Sequence, residues 1–328
     1  MEMKLPENSP SYRVEKPQVS ERFWGILSLA LIFFAGAVFS ISYFTGTIRY
    51  PIPHVAAAAA IADPFLDISL TAKSVLVLDL ATNQVLYARH PDVQLPLASL
   101  TKVPLALVVS EALAPNSIIT IEPHDTPDGA PIRLPAGTQV RAQDLLDFML
   151  VASSNEGSEL LADAAEIGLR RAYPEADQDN ATLWRMNNLA THLGLKHTYF
   201  RNIHGLDMSA TQAGAYGSAR DVARLFAYVT TNAPHIFERT SRETISINTL
   251  DGKNITATNT DQALSAIPGL ILGKTGFTDL AGGNLAIVFE VGPLHPIVAV
   301  VLQSTQEGRF EDMKKLVDAT LSSMAEDR

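Results

Sequence analysis

The stretch Leu97–Val109, LASLTKVPLALVV, places Ser99 and Lys102 three residues apart as the chain enters an apolar run. Read as a helix that starts at Ser99, it sets the hydroxyl and the ammonium side by side on one face. Pro104 suits only the first turn of such a helix, which agrees with that start. A lysine among Val103, Leu105 and Leu107 either snorkels to solvent or is buried where its charge is disfavoured. In the second case its pKa falls from ~10.4 toward neutrality, a change of about 3 units or roughly 4 kcal/mol. A serine hydroxyl needs an adjacent base to act as a nucleophile, and such a lysine supplies one. The positive end of the helix dipole favours a developing alkoxide at Ser99. The spacing alone is weak, since a chain of ordinary composition carries about one Ser-x-x-Lys by chance.

Working outward, the chain has 328 residues, 47% of them hydrophobic and 18% charged, the balance of a globular protein with ample core. A net charge of -10 argues against nucleic acid as a partner. With no cysteine there are no disulfides, zinc-thiolate sites or thiol nucleophiles. The eight histidines form no H-E-x-x-H motif, and His124, Asp125 and Asp128 do not match an EF-hand, so no metal and no cofactor is assigned.

From Phe23 to Ile48 no residue is charged, a run longer than the ~20 residues that span a bilayer. Lys4, Arg13, Lys16 and Arg22 precede it and Arg49 stands alone after it, which puts the N-terminus in the cytoplasm. Both the apolar run and the polar stretch before it are long for a cleaved signal peptide, so the segment reads as an uncleaved anchor. The expected organisation is a cytoplasmic tail at 1–22, a transmembrane helix at 23–48 and a Pro/Ala-rich tether at 49–65. A catalytic domain at 66–328 follows, on the extracytoplasmic side of the cell membrane.

Within that domain, SVLVLDL (74–80) and QVLYARH (84–90) read as two strands joined at Ala81-Thr82-Asn83. Amphipathic helices follow in RAQDLLDFMLVAS (141–153), EGSELLADAAEIGLRRA (156–172), ATLWRMNNLATHLGL (181–195) and GSARDVARLFAYVTT (217–231). Ser218 is placed as an N-cap of the last, with Asp221 in its first turn. ETISINTL and KNITATNT flank a turn at Asp251-Gly252. NLAIVFEV and PIVAVVLQS then read as strands before a closing helix near 310–324. The fold class is α+β, an antiparallel sheet built from both ends of the domain, flanked by helices, with an inserted helical lobe.

Order gives the first motif its weight. Ser153-Ser154-Asn155 stands at the end of DLLDFMLVA, and Lys274-Thr275-Gly276 lies in LILGKTGFTDLAGG. Ser-x-x-Lys, Ser-x-Asn and Lys-Thr-Gly, in that order, are the signature of penicillin-binding proteins and serine β-lactamases. A second Ser-x-Asn, at Ser246-Ile247-Asn248, is set aside because it falls within a strand-like alternation.

The chain resembles the D-alanyl-D-alanine carboxypeptidase family of serine peptidases, the low-molecular-mass penicillin-binding proteins, over roughly Asp67 to Thr320. The blocks that carry the likeness are SVLVLDLATNQVLYARHPDVQLPLASLTK, DLLDFMLVASSNEGSELLAD, HTYFRNIHGLDMSATQAGAYGSARDVARL and GLILGKTGFTDLAGGNLAIV. The resemblance implies a β-lactamase/transpeptidase-like fold and an acyl-serine mechanism. Ser99 would attack the carbonyl between two terminal D-alanines, and Lys102 would take its proton. Ser153 would relay a proton to the leaving D-alanine, and Asn155 would contact Lys102 and the substrate amide. Lys274 would supply positive potential and Thr275 would bind the terminal carboxylate. Beyond Gly276, the amides of Ser99 and Phe277 would form the oxyanion hole.

The implied partners are peptidoglycan stem peptides as substrate, β-lactam antibiotics as covalent inhibitors, and the membrane through the N-terminal helix. An endopeptidase of the same family and a non-catalytic penicillin-recognising scaffold or sensor are the alternatives. No Glu-x-x-Leu-Asn segment lies between the second and third motifs, which argues against fast antibiotic hydrolysis. His204, Asp207, Arg220 and Asp221 read as loop locks and caps. Glu156 reads as a first-turn helix acid and Arg309 as a surface residue.

Overall fold

Every side chain of β1 (Ser74–Asp79) is buried, because the strand lies inside a sheet covered on both faces. The computed structural model describes residues 63–176 and 179–326. The expected tail at 1–22, the anchor at 23–48 and most of the tether lie outside the described residues. Among the described residues no helix is long and apolar enough to cross a membrane.

After β1 come β2 (Val85–Arg89), β3 (Leu95–Pro96) and a 3₁₀ turn, Ala98–Thr101. The first helix, α1, is Lys102–Ala112. A ribbon of β4 (Ile118–Thr120) and β5 (Gln139–Arg141) follows. Then come α2 (Ala142–Val151), α3 (Asn155–Ala172) and α4 (Ala181–His192). Two short strands, β6 (Tyr199–Phe200) and β7 (Ala215–Gly217), pair with each other, and β7 also pairs with β3. Next are α5 (Ala219–Asn232) and the hairpin of β8 (Thr244–Asn248) and β9 (Asn254–Thr258). The chain closes with β10 (Leu270–Thr278), β11 (Gly282–Glu290), β12 (Pro296–Ser304) and α6 (Gly308–Glu326).

The main sheet runs β10-β11-β12-β1-β2, all neighbours antiparallel, so the two ends of the domain meet at the β12–β1 pair. Alternation along the strands splits the core in two. Leu76, Val298, Val300 and Leu302 face the helical lobe. Val75, Val77, Ile297, Ala299 and Val301 face the other way, onto Phe310, Met313, Leu316 and Val317 of α6. Residues 102–109 of α1 are all buried, as expected of a helix apolar on every side that runs through the middle of a lobe.

The helix expected to begin at Ser99 begins at Lys102, and the serine stands on the 3₁₀ turn before it. The hairpin at Ala81–Asn83, the last two strands and the Ser218 N-cap lie where the sequence pattern places them. Strand β10 escapes the pattern. Gly273 and Gly276 interrupt its alternation, and its strand character comes from pairing with β11.

Candidate active site

Three pieces of backbone bring the motifs together. Ser99 sits on the 3₁₀ turn after Ala98, whose φ of 48° is unusual for a residue with a side chain. The turn is closed by Thr101 Oγ1, which donates to Ala98 O at 2.7 Å. Gly205 packs so closely that a Cβ there would lie 2.0 Å from Ala98 O. Asn284, fully buried in β11, donates to Pro96 O at 3.0 Å and ties the nucleophile segment to the sheet.

The second motif is a corner between two helices. Ala152 caps α2, and Ser153 takes the left-handed conformation at φ 54°. Ser154 N donates to Met149 O at 3.1 Å, so the end is a Schellman motif with serine where glycine is usual. Ser154 then caps α3, accepting from Gly157 N at 3.0 Å. Asn155 is the first residue of α3 and turns into the cleft.

The third motif is the middle of β10. Gly276 is required there, because a Cβ would lie 2.8 Å from Leu97 O and 3.2 Å from Ser99 N. Its absence lets the strand run beside the Ser99 amide. Thr275 is buried, and its hydroxyl shares a hydrogen bond with that of Thr260. Phe277 is 42% exposed.

Lys102 is completely buried at 0% exposure. Its Nζ donates to Ser99 Oγ at 2.9 Å, Asn155 Oδ1 at 2.7 Å and His204 O at 3.0 Å. Burial lowers its pKa to about 7, against the raising effect of the Asp128 and Glu159 carboxylates. Lys274, 2% exposed, donates to Ser153 Oγ at 2.7 Å and to Thr275 O at 2.9 Å. Burial pushes its pKa well down, and the charges of Lys102 and Arg309 add to that. Ser99 and Asn155 are thus bonded to Lys102, and Ser153 to Lys274; the two lysines are near enough for one charge to act on the other, with Thr275, Gly276 and Phe277 on the strand that carries Lys274.

A neutral amine has two protons and one lone pair. Asn155 Oδ1 and His204 O can only accept, so they take both protons of a neutral Lys102. The lone pair then faces Ser99 Oγ. This is the arrangement a general base requires.

Arg309 corrects the expectation of a surface arginine. It is 6% exposed, its Nη1 donates to Gly276 O at 2.8 Å, and its guanidinium lies over the Phe310 ring at 4.6 Å. Burial lowers its pKa. It braces the strand next to Ser99 at Gly276, a role invisible in a sequence where the arginine of EGRFED reads as a plain surface residue. Glu156 is a first-turn acid as read, but it is also buried, accepting from Arg133 N, Leu134 N and His124 Nε2. Asp207 accepts from Thr278 Oγ1 and Leu280 N, Arg220 pairs with Asp92, and Asp221 accepts from His197 N, so these three are locks and ties. His204 does more, because its carbonyl is a partner of Lys102. Asn284 and Asp128 were missed, and no local signal marks either one. Among the described residues no group of three His, Cys, Asp or Glu is placed to hold a metal ion.

Comparison with known proteins identifies the relatives of the chain. The family model for D-alanyl-D-alanine carboxypeptidase matches residues 57–306. The chain is 28% identical over 260 residues to the D-alanyl-D-alanine carboxypeptidase DacA of Escherichia coli K12, covering 76% of this chain and 60% of DacA. It is 30% identical over 258 residues to DacD of the same organism, covering 75% of this chain and 62% of DacD. The chain therefore spans about three fifths of the length of these curated relatives. Among solved structures, it is similar to penicillin-binding protein D2 of Listeria monocytogenes in its ampicillin-bound form. The TM-score is 0.64 at 27% identity, over 77% of this chain and 98% of that one. The D-alanyl-D-alanine carboxypeptidase of Mycobacterium tuberculosis H37Rv matches with a TM-score of 0.65 at 27% identity, over 78% and 92% of the two chains.

Proposed function

The chain belongs to the D-alanyl-D-alanine carboxypeptidase family, and from that premise we propose that it is a serine-type carboxypeptidase removing the terminal D-alanine of peptidoglycan stem peptides. The observation that carries the proposal is the fully buried Lys102 amine, 2.9 Å from Ser99 Oγ and bonded besides to two acceptors, Asn155 Oδ1 and His204 O. Ser99 Oγ attacks the carbonyl of the penultimate D-alanine as its proton moves to Lys102. The amides of Ser99 and Phe277 receive the oxyanion, and each such donor contributes about 3 kcal/mol to the transition state. The C–N bond then breaks. The proton passes from Lys102 through the Ser153 hydroxyl to the departing amine, leaving Ser99 acylated. Water, deprotonated by Lys102, releases the shortened peptide and restores the hydroxyl.

Arg309, bonded to Gly276 O beside Thr275, brings positive potential that suits a substrate ending in a carboxylate, and Lys274 adds to it when protonated. Thr275 is the residue we assign to that carboxylate, exchanging its bond with Thr260 for one to substrate. Asn155 keeps one amide proton for the substrate carbonyl. A β-lactam presents the same carbonyl in a ring. Attack by Ser99 opens the ring without releasing a fragment, and the acyl-enzyme persists as an inhibited state. The uncharged run at 23–48 anchors the enzyme, and the domain from residue 66 works outside the cytoplasm.

Purified protein should release D-alanine from a D-Ala-D-Ala peptide, and Ser99→Ala should abolish the release. Mass spectrometry after brief penicillin exposure should find one adduct on Ser99. An adduct elsewhere, or release undiminished in the variant, would sink the assignment.

A further inference from the structure

Asp128 lies in the connection between β4 and β5, and no motif includes it. Its Oδ2 accepts from Asn155 Nδ2 at 2.7 Å, and its Oδ1 accepts from Ala130 N at 3.1 Å. At the other end of the same amide, Asn155 Oδ1 accepts from Lys102 Nζ at 2.7 Å. Charged or neutral, Lys102 has a proton to donate to the amide oxygen, and an ionised carboxylate can only accept, so both neighbours impose the same orientation on the amide. Lys102, Asn155 and Asp128 thus form a chain of amine, dipole and charge.

The loop that carries Asp128 is fastened to the same helix start as Asn155. Glu156, the next residue, accepts from Arg133 N at 3.1 Å and Leu134 N at 3.0 Å. His124 Nε2 also reaches it, at 3.0 Å, while Nδ1 bonds Glu122 O at 2.9 Å. One turn of α3 therefore sets both the amide and the carboxylate that holds it.

We infer that Asp128 is a positioning residue for the reaction: it holds the Asn155 oxygen toward Lys102, and its charge raises the pH at which Lys102 becomes a base. This rests on Lys102 being the base for Ser99. The other charged or titratable groups around that amine are Lys274 from β10, Glu159 from α3 and the His204 ring, whose Nε2 pairs with Glu159 at 3.2 Å. Of the two carboxylates that favour the charged form of Lys102, Asp128 has the larger effect.

The sign follows from electrostatics. Acylation needs neutral Lys102, so its rate rises with pH on an acidic limb. Removing the Asp128 charge makes the ammonium less favourable and moves that limb to lower pH. For a solvated charge about one amide group away, the displacement is roughly half a pH unit. The alkaline plateau falls severalfold as well, because Asn155 is free to turn. General damage to the fold lowers the rate at every pH and leaves the limb in place.

The test is the second-order rate of acylation by a penicillin, followed on the full chain from pH 5 to pH 9 for wild type, D128N and D128E. D128N retains the shape of the side chain, and Asp128→Ser, which can still accept from Ala130, takes its place should D128N not fold. The expected result is a limb displaced downward in the uncharged variant and restored in D128E. A limb that coincides with that of wild type, or moves upward, overturns the inference while leaving the proposed function intact. Wild-type protein that takes up no penicillin at Ser99 overturns both.

Discussion

Lys274 donates to the Ser153 hydroxyl at 2.7 Å, joining a strand of the sheet to a helix corner 121 residues earlier in the chain. The contact crosses the cleft. Ser99 and Lys102 come from a segment earlier still, and Ser99 stands beside the strand of Lys274, where a Cβ on Gly276 would lie 3.2 Å from its amide nitrogen. Each lysine is buried, each bonds a serine, and Lys102 lowers the pKa of Lys274. The position of Lys102 as first residue of a helix buried from 102 to 109 explains its unusual state better than any single neighbour.

Acylation by penicillin should therefore rise with pH through about 7, the value to which burial brings Lys102. Lys102→Met should cost about a thousandfold or more at every pH, since a positioned base typically contributes 10²–10⁴. Stopped-flow acylation across the pH range checks both. A wild-type rate that is flat from pH 5 to 9 would contradict the assignment of the base.

Stability should carry the same signature. The folded pKa of Lys102 is depressed below its unfolded value of 10.5, so the unfolded chain binds more protons between about 7 and 10.5. The contribution is complete above the unfolded pKa and is lost as pH falls toward about 7. Urea unfolding of wild type relative to Lys102→Met should show a stability difference that moves in favour of wild type as pH rises through this window. Its size is on the order of a few kcal/mol.

At Ser153 strain and chemistry can be separated. Its left-handed backbone suits glycine, whereas its hydroxyl accepts from Lys274. Ser153→Gly should be more stable than Ser153→Ala by about 1 kcal/mol. Both should lose D-alanine release to a similar degree, on the order of a hundredfold. Thermal melts and a D-alanine assay on the pair decide it, and equal melting temperatures would show that the strain is absorbed elsewhere.

Gly276→Ala places a methyl against Leu97 O and the Ser99 amide. Strand β10 must retreat, at a cost of about 1–3 kcal/mol in stability. Because the retreat widens the gap between the two amides we assign to the oxyanion, acylation should drop by about 10²-fold or more. A variant that acylates at the wild-type rate would place the oxyanion donors elsewhere.

What was legible in the sequence was what depends on local pattern. The triplets at Ser99, Ser153 and Lys274, the hairpins at Ala81–Asn83 and Asp251–Gly252, and the both-ends sheet all follow from alternation, turn residues and order. Discarding Ser246-Ile247-Asn248 rests on the same logic. Those two polar side chains lie exposed on one face of β8, with Ile245 and Ile247 buried on the other. What escaped depends on contacts remote in sequence. Strand β10 exists because β11 pairs with it, and Arg309 is buried because α6 lies across the sheet from the cleft strand. Asp128 reaches Asn155 only because Glu156 pins the loop between them. The left-handed residues Ala98 and Ser153 carry no sequence mark, since neither is glycine.

The sheet order has a consequence for biosynthesis. Strand β12 is the partner that joins β1 to β11, and it leaves the ribosome after both of them. Until residue 304 has been added, the first two strands of the domain and the pair that carries Lys274 cannot share one sheet. The nascent chain thus holds two parts of a sheet that stay apart while it is being made, and they become one when β12 slots into the centre.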